Sequence, residues 1–254
     1  MQKGGNRFYF NFEGNKGFLP EKEAHHLVRV CRKRIEDEIL LIDGKGKEFL
    51  GRILSLKEKG KKILVEVEIL ELIREEQVSS PKILSFIPIL KGDKNEFLIE
   101  KGTELGIDHF IFFSSRYSVS KWEENKMYRF KEKALNALKQ SGRLFLPEIN
   151  FFYNLSSILE AIFQEEKFSL NLLASPSGTI SLEELLKKAN ERKPRQIILL
   201  SGPEGGLSVE EQSFLSKYSF IEVNLSPHIL RAETASLALM VLATLLKNSL
   251  KQVI

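Results

Sequence analysis

The spacing of apolar residues changes about a third of the way along the chain. In the first part it runs with a period of two. Ile63, Val65, Val67 and Ile69 fall on one face of an extended segment, Ile63–Leu70. Similar patterns predict strands over Arg7–Phe12, Glu38–Ile42 and Glu48–Leu56. The turns Asp43-Gly44-Lys45-Gly46 and Glu58-Lys59-Gly60-Lys61 separate the last of these. One short helix interrupts the series, Glu21–Arg32, opened by Pro20 with Leu27 and Val30 on one face. Short strands at regular spacing predict a small barrel or sandwich. Residues 71–82, ELIREEQVSSPK, are polar and read as a linker. The boundary is set near Val78, separating residues 1–76 from 77–254.

Beyond it, strands and helices alternate. Ile83–Leu90, His109–Phe113, Phe168–Leu173, Gln196–Ser201 and Ile221–Leu225 read as strands. Asp93–Leu105 reads as a helix that Asp93 caps and Gly106 ends, with Glu96 three residues past the cap. Met127–Ser141 aligns Phe130, Ala134 and Leu138 on one face. Ser181–Ala189 and Ser208–Lys217 each open on a Ser-x-x-Glu box, Ser181 with Glu184 and Ser208 with Glu211. Arg231–Leu250 closes the chain. This alternation predicts an α/β domain with a mainly parallel sheet and helices on both faces. From Ala235 to Leu246 only Ser236 and Thr244 are polar, so the last helix is apolar nearly all round. Either a second copy of the chain covers it, in a twofold dimer, or it is wedged within one chain; the dimer is preferred.

Composition narrows the class. Hydrophobic residues make up 43% and charged residues 28%, as in a soluble protein. The apolar runs are too interrupted to span a bilayer, and MQKGGNRFYF has no signal-peptide core, so a cytoplasmic protein is expected. Cys31 has no cysteine to pair with, and four scattered histidines give no zinc spacing; Cys31 reads as a small buried apolar residue, and no metal is expected. The net charge of +4 is unevenly placed: residues 1–74 hold 16 Lys/Arg against 12 Asp/Glu, and the remainder holds 22 of each. A basic first third is either a solvated surface or a face for a polyanion.

The candidate chemistry lies in two loops, each between a strand and a helix. Ser201-Gly202-Pro203-Glu204-Gly205-Gly206-Leu207-Ser208 lacks both the Lys-Ser/Thr of a phosphate loop and the spacing of a dinucleotide fingerprint. Glu204 among its glycines would repel a polyphosphate: like charges 4 Å apart cost about 4 kcal/mol at an effective dielectric of about 20. The loop suits a neutral or cationic ligand read by backbone groups, such as adenosine attached to a sulfonium, or it is only a tight turn before a capped helix. The second loop, Leu225–Leu230, leads into a first turn bearing Arg231 and Glu233. Glu233 complements a helix N-terminus; Arg231 is electrostatically misplaced there and is the stronger functional candidate. His228 reads as a surface residue.

Four segments together carry a resemblance: KGDKNEFLIEKGTELGI at Lys91–Ile107, KQSGRLFLPEI at Lys139–Ile149, GPEGGLSVEE, and LSPHILRAETASLAL. With HHLVRVCRKRIEDEILLIDGKGKEFLGRI at His25–Ile53, they resemble the bacterial ribosomal RNA methyltransferases that act on N3 of a uridine in small-subunit rRNA, members of the SPOUT class of S-adenosylmethionine enzymes. The likeness runs in order over about residues 7–245. It implies a PUA-like β-barrel that binds RNA, followed by an α/β domain with a deep trefoil knot, a rare exception to chain-threading rules. It implies S-adenosyl-L-methionine as cofactor, held at Leu172, Leu173, Leu200, Gly202, Pro203, Gly205, Leu225, Ser226 and Leu230. It also implies a homodimer packed through the knot, which accounts for the apolar last helix. Three family positions differ: Leu173-Ala174-Ser175 stands where a His-Pro or acidic pair is usual, Ser114-Ser115-Arg116 lacks the acid of a Thr-Glu-Arg motif, and Lys139 stands where an acid often precedes Gln140. Gln140, Gly142 and Arg143 match the family's Gln-x-Gly-Arg.

Uridine N3 is protonated at neutral pH, so a methylating enzyme must remove that proton while stabilising charge on the flanking carbonyls. Arg231 is the first candidate for the cation, and Glu233 either accepts the proton or orients Arg231. Arg7, Arg29, Arg32, Arg34, Arg116 and Arg143 are the candidates for RNA contact. The expected substrate is ribosomal RNA, with the target base out of its stack. Rival readings are a methyltransferase for another rRNA or tRNA position, or a non-catalytic RNA-binding assembly protein.

Overall fold

The computed structural model describes residues 7–60, 62–163 and 168–251. Two compact units divide the chain: one holds residues up to Val78 together with Leu135–Leu146, the other Ser79–Ala134 and everything from Pro147 onward.

The first unit is built on five strands: β1 (Arg7–Tyr9), β2 (Lys16–Phe18), β3 (Glu38–Ile42), β4 (Lys47–Lys59) and β5 (Lys62–Glu75). They form one sheet in the order β1-β3-β4-β5-β2, with β1 and β3 parallel and the other pairs antiparallel. Phe8, Leu27, Leu41, Ile53, Val65 and Val67 bury their side chains completely in its core. The period-two pattern therefore does what it predicts, turning one face of each strand inward. The expected helix from Glu21 divides into a short α-helix α1 (Glu21–His25) and a π turn, His26–Val30, in which Cys31 N–H donates to His26 O at 3.0 Å. Cys31 itself packs half-buried against the core. The supposed linker is shorter than its polarity suggests, because β5 continues to Glu75. Its polar residues stay in the ladder through cross-strand partners such as Lys47–Glu75 at 3.6 Å. The turn at Glu58–Lys61 is tighter than expected, since β4 runs to Lys59; Lys61 lies outside the described residues.

Leu135–Leu146 completes this unit. Leu138 and Leu144 bury against Ile42, Arg74 Nη2 donates to Gly142 O at 2.5 Å, and Lys139 Nζ pairs with Glu23 Oε1 at 2.6 Å.

The second unit contains β6 (Lys82–Pro88), α2 (Lys94–Leu105), β7 (His109–Phe113), the first turns of α3 (Glu124–Ser141), β8 (Glu148–Phe152) and α4 (Leu155–Phe163). It continues through β9 (Ser169–Ala174), α5 (Leu182–Arg192), β10 (Gln196–Leu200), α6 (Val209–Leu215), β11 (Ile221–Val223) and α7 (Ala232–Lys251). Its six strands form an entirely parallel sheet in the order β11-β9-β10-β6-β7-β8. The central strands read as nearly continuous apolar runs, IILL in β10 and ILSFI in β6, the latter broken only by the buried Ser85, as burial on both faces demands. Two elements are absent from the sequence expectation. β8 is a sheet edge of half-exposed residues with no clean alternation, and α4 has only nine residues. A start signal for α4 is present: Asn154 Oδ1 accepts from Ser157 N–H at 2.8 Å.

The last helix is covered unevenly. Leu239, Met240, Ala243 and Leu246 are buried and α7 packs on α2, but Val241 and Leu245 are 40% and 61% exposed. One chain covers only one face of it. Among the described residues no helix is long and apolar enough to cross a membrane.

Candidate functional site

A cleft of about 570 Å³ opens at the C-terminal ends of β9, β10 and β11. That is the end of a parallel sheet where helix N-termini and connecting loops converge. Three loops wall it: Ala174–Pro176, Gly202–Gly206 and Val223–Leu230, closed by Lys94 and the first turn of α7. A second hollow of about 350 Å³ shares Ala174, Ser175, Pro176, Gly202 and Gly206 with it.

Local chemistry sets each wall. In the middle loop Gly206 N–H donates to Pro203 O at 2.9 Å, and Gly206 adopts φ +76°, where side-chain-bearing residues are strained. Ser208 then starts α6 with a complete capping box, its Oγ accepting from Glu211 N–H at 3.2 Å while Glu211 Oε2 accepts from Ser208 N–H at 2.8 Å. In the first loop Gly178 lies so close to β11 that a Cβ would sit 2.5 Å from Asn224 N. Ser201, at the end of β10, meets Ser236 of α7 at 2.5 Å between hydroxyl oxygens. Because Ser236 Oγ donates to Ala232 O at 2.9 Å, Ser201 is the donor in that pair.

Most of the expected cofactor residues gather here. Gly202, Pro203, Leu225, Ser226 and Leu230 line the cleft, and Leu173 lines the adjoining hollow. Leu172 and Leu200 lie fully buried in the strands beneath. Gly205 turns aside toward Tyr117, whose Cβ would be 2.9 Å from a Cβ on Gly205. Arg231 lines the cleft with its side chain exposed and without a hydrogen bond or ion pair among the described residues.

The spacing of motifs does not reveal Lys94. Its ammonium lies 3.2 Å from Glu204 Oε1 and 3.0 Å from Glu233 Oε2, so it bridges the glycine loop to the start of α7. The contact to Glu233 is an ion pair outside hydrogen-bond geometry. The neighbouring Asn95 holds Lys94 in place: it is buried, accepts from Leu90 N–H at 2.8 Å and donates to Pro88 O at 3.1 Å. Asp93 precedes α2 as expected but makes no side-chain cap. Pairing with Glu233, then Glu204, raises the Lys94 ammonium above its ordinary range. Desolvation pushes the Glu233 carboxyl upward. Its helix-end backbone N–H, Lys94 and Arg231 outweigh that and hold it below the ordinary value. Glu233 is thus an ionised group, well suited to orienting a cation and weakly basic toward a proton.

The expected RNA contacts are less uniform. Arg7 is not a free surface cation: its Nε sits 2.6 Å from Glu48 Oε1, with side-chain exposures of 15% and 5%. Arg29 pairs with Glu58 at 2.7 Å and Arg116 with Glu210 at 3.1 Å. Arg143 is half-buried and has a partner of its own. Arg32 and Arg34 remain exposed, without side-chain partners among the described residues.

Comparison with known proteins joins these observations to a family. The RNA methyltransferase domain matches residues 78–244, covering the parallel sheet and all three cleft loops. The chain belongs to the RNA methyltransferase family. Within this family, the ribosomal RNA small subunit methyltransferase E of Bacillus subtilis is 30% identical over 221 residues, 85% of this chain and 84% of the relative. A protein of Borreliella burgdorferi named ribosomal RNA small subunit methyltransferase E 2 is 30% identical over 236 residues, 86% and 87% of the two chains. The crystal structure of a ribosomal RNA small subunit methyltransferase E from Neisseria gonorrhoeae, bound to S-adenosyl methionine, superposes with a TM-score of 0.77 at 28% identity, covering 93% of this chain and 95% of that one. Residues 19–67 match the PUA domain of RNA methyltransferases. In this RNA methyltransferase, the serine pair Ser175 and Ser177 on Glu222 Oε2, at 2.9 and 2.6 Å, also went unread in the sequence. No spacing rule links residues so far apart in the chain.

Proposed function

We propose that the protein transfers a methyl group from S-adenosylmethionine to N3 of a uridine in small-subunit ribosomal RNA. The observation that carries this reading is the cleft: three loops at the strand ends, whose lysine is already taken by two carboxylates and whose arginine has no side-chain partner among the described residues, in a chain of the RNA methyltransferase family. The residues fit that cofactor. A space of about 570 Å³ admits a nucleoside with an amino-acid tail, and Glu204 and Glu233 favour a sulfonium as they disfavour a pyrophosphate. The groups that would hold it are the backbone of Gly202, Pro203, Leu225, Ser226 and Leu230, with Leu173 at the side. Bound there, the cofactor supplies an electrophilic methyl group.

The chain's own residues do the rest. Arg231, which has no side-chain partner among the described residues, donates N–H bonds to a uracil carbonyl as N3 loses its proton to water, stabilising the charge that develops there. Glu233, ionised beside Lys94, fixes the start of α7 through that lysine and acts on the Arg231 guanidinium only as a nearby charge. The loops position donor and acceptor, and positioning of this kind can supply roughly 7–11 kcal/mol of barrier lowering. Residues 1–76, completed by Leu135–Leu146, act as the RNA-holding PUA-like part, with Arg32 and Arg34 as phosphate contacts, and the rest of residues 77–254 as the knotted catalytic part. The protein works as a cytoplasmic homodimer; the exposed Val241 and Leu245 on α7 are the apolar strip a second copy would cover.

The deciding experiment maps methylated uridines by mass spectrometry in rRNA from a strain lacking the gene. It then restores methylation in vitro with purified protein on intact small subunits, free rRNA and tRNA. The reading expects one N3-methyluridine to vanish from small-subunit rRNA and to return on addition of the protein. An unchanged rRNA map, or a return on tRNA alone, overturns it.

A further inference from the structure

The Lys94 bridge does more than fasten two loops. Lys94 and Glu204 both face the cleft, each with about 28% of its side chain exposed, while Glu233 is more enclosed at 16%. Two carboxylates and one ammonium leave these three groups with one net negative charge, which the Arg231 guanidinium in the same cleft offsets, so that removing any one charge tips the balance. The paired groups have fixed positions: Asn95 clamps the start of α2 beneath Lys94, and the Gly206 turn and the α7 first turn hold the acids. A fixed charge beside a partly desolvated cleft acts on a ligand's charge more strongly than it would in water. The ligand changes charge in the reaction. The donor carries a sulfonium cation; the sulfur–methyl bond breaks as the N3–carbon bond forms, its electron pair stays on sulfur, and the product is a neutral thioether.

Resting on the methyltransferase reading, we propose that Lys94, Glu204 and Glu233 form an electrostatic gauge that sets how strongly the pocket prefers the cationic donor over the neutral thioether product. The acids hold the cation, and Lys94 caps that preference so that the donor is not bound too tightly to react. Lys94 is a positioning and specificity residue here; Arg231 remains the group aimed at the base. A purely structural brace would affect donor and product alike, since they share the adenosine and the amino-acid tail.

Isothermal titration calorimetry at fixed, low ionic strength tests this with S-adenosylmethionine, S-adenosylhomocysteine and the amine-bearing analogue sinefungin. The proposal expects Lys94→Met to raise the donor-to-product affinity ratio by about three- to tenfold, Glu204→Gln to lower it by a similar factor, and Lys94→Arg to leave it unchanged, because unit charges several ångströms apart across a partly wet cleft interact on that scale. Sinefungin should follow the donor. Added salt should shrink both shifts. Equal loss of affinity for donor and product in Lys94→Met and Glu204→Gln overturns the gauge and leaves a brace. Failure of either ligand to bind the unaltered protein instead overturns the methyltransferase reading, and the gauge with it.

Discussion

The two units treat their cations in opposite ways. In the first unit, where the sequence is richest in positive charge, Arg7 is sunk against Glu48, Arg29 is taken by Glu58 and Arg74 lies 3.2 Å from Glu48. In the second, where charge is balanced overall, the Arg231 side chain stands in the main cleft without a partner among the described residues and Lys94 is shared between two acids. A count of charges points to the wrong end of the chain for chemistry. What a cation does depends on whether a carboxylate already occupies it, and that is a property of three-dimensional neighbours.

The sharpest way to break this contrast is at Arg231. Its replacement by alanine should lower kcat by about 10²- to 10³-fold, the loss usual for one donor to a developing oxyanion, while S-adenosylmethionine still binds in calorimetry, no more weakly than to the unaltered protein, since a cation has left the cleft. Unaltered single-turnover rates would return Arg231 to the surface. Arg7→Ala should do the reverse: its cost should fall on unfolding, about 2–3 kcal/mol in denaturant titration, because Glu48 loses its closest partner while mostly buried. The methylation rate per folded molecule should stay within about twofold.

Arg32 and Arg34 offer a finer test. With both changed to alanine, the slope of log Kd against log salt for RNA should flatten by roughly 1 to 2, with stability unaltered. The same slope as the unaltered protein would mean the phosphates lie elsewhere. The smallest effect concerns pH. Glu233 is held below its ordinary value of 4.5, and a carboxyl with a depressed folded-state pKa stabilises the fold above the unfolded value and loses that contribution as pH falls through the folded one. The difference in melting temperature between Glu233→Gln and the unaltered protein should therefore be flat from pH 5 to 9 and close only below about pH 4.5. A change centred near neutrality would make Glu233 a titrating base after all.

Much of this architecture is legible in one sequence because local signals agree with global ones. The Ser181 and Ser208 capping boxes, Gly106 in its left-handed C-cap at φ +88°, and the run of strands β6, β7, β9, β10 and β11 all follow from spacing and residue type. The two cleft loops are legible for the same reason, since glycine and proline mark them directly. The π turn is hidden because His26–Val30 has ordinary helical composition and differs only in hydrogen-bond step. Lys94 and the Ser175–Ser177–Glu222 cluster are hidden because each depends on partners brought together by the parallel sheet, 110 residues separating Lys94 from Glu204, and Asn95 is hidden because its near partners are backbone groups that no residue type marks. The all-apolar α7 is legible as a helix, but the pattern alone did not show that one side, at Val241 and Leu245, stays uncovered in a single chain.

Leu135–Leu146 has a consequence for synthesis. A nascent chain that has only reached residue 78 lacks Leu138 and Leu144 to close over Ile42, and Glu23 lacks Lys139. The residues that complete the front module are therefore translated nearly seventy codons after its apparent end, with the start of the second unit made in between. A gene fragment cut at the apparent boundary would yield a barrel with its apolar floor bare.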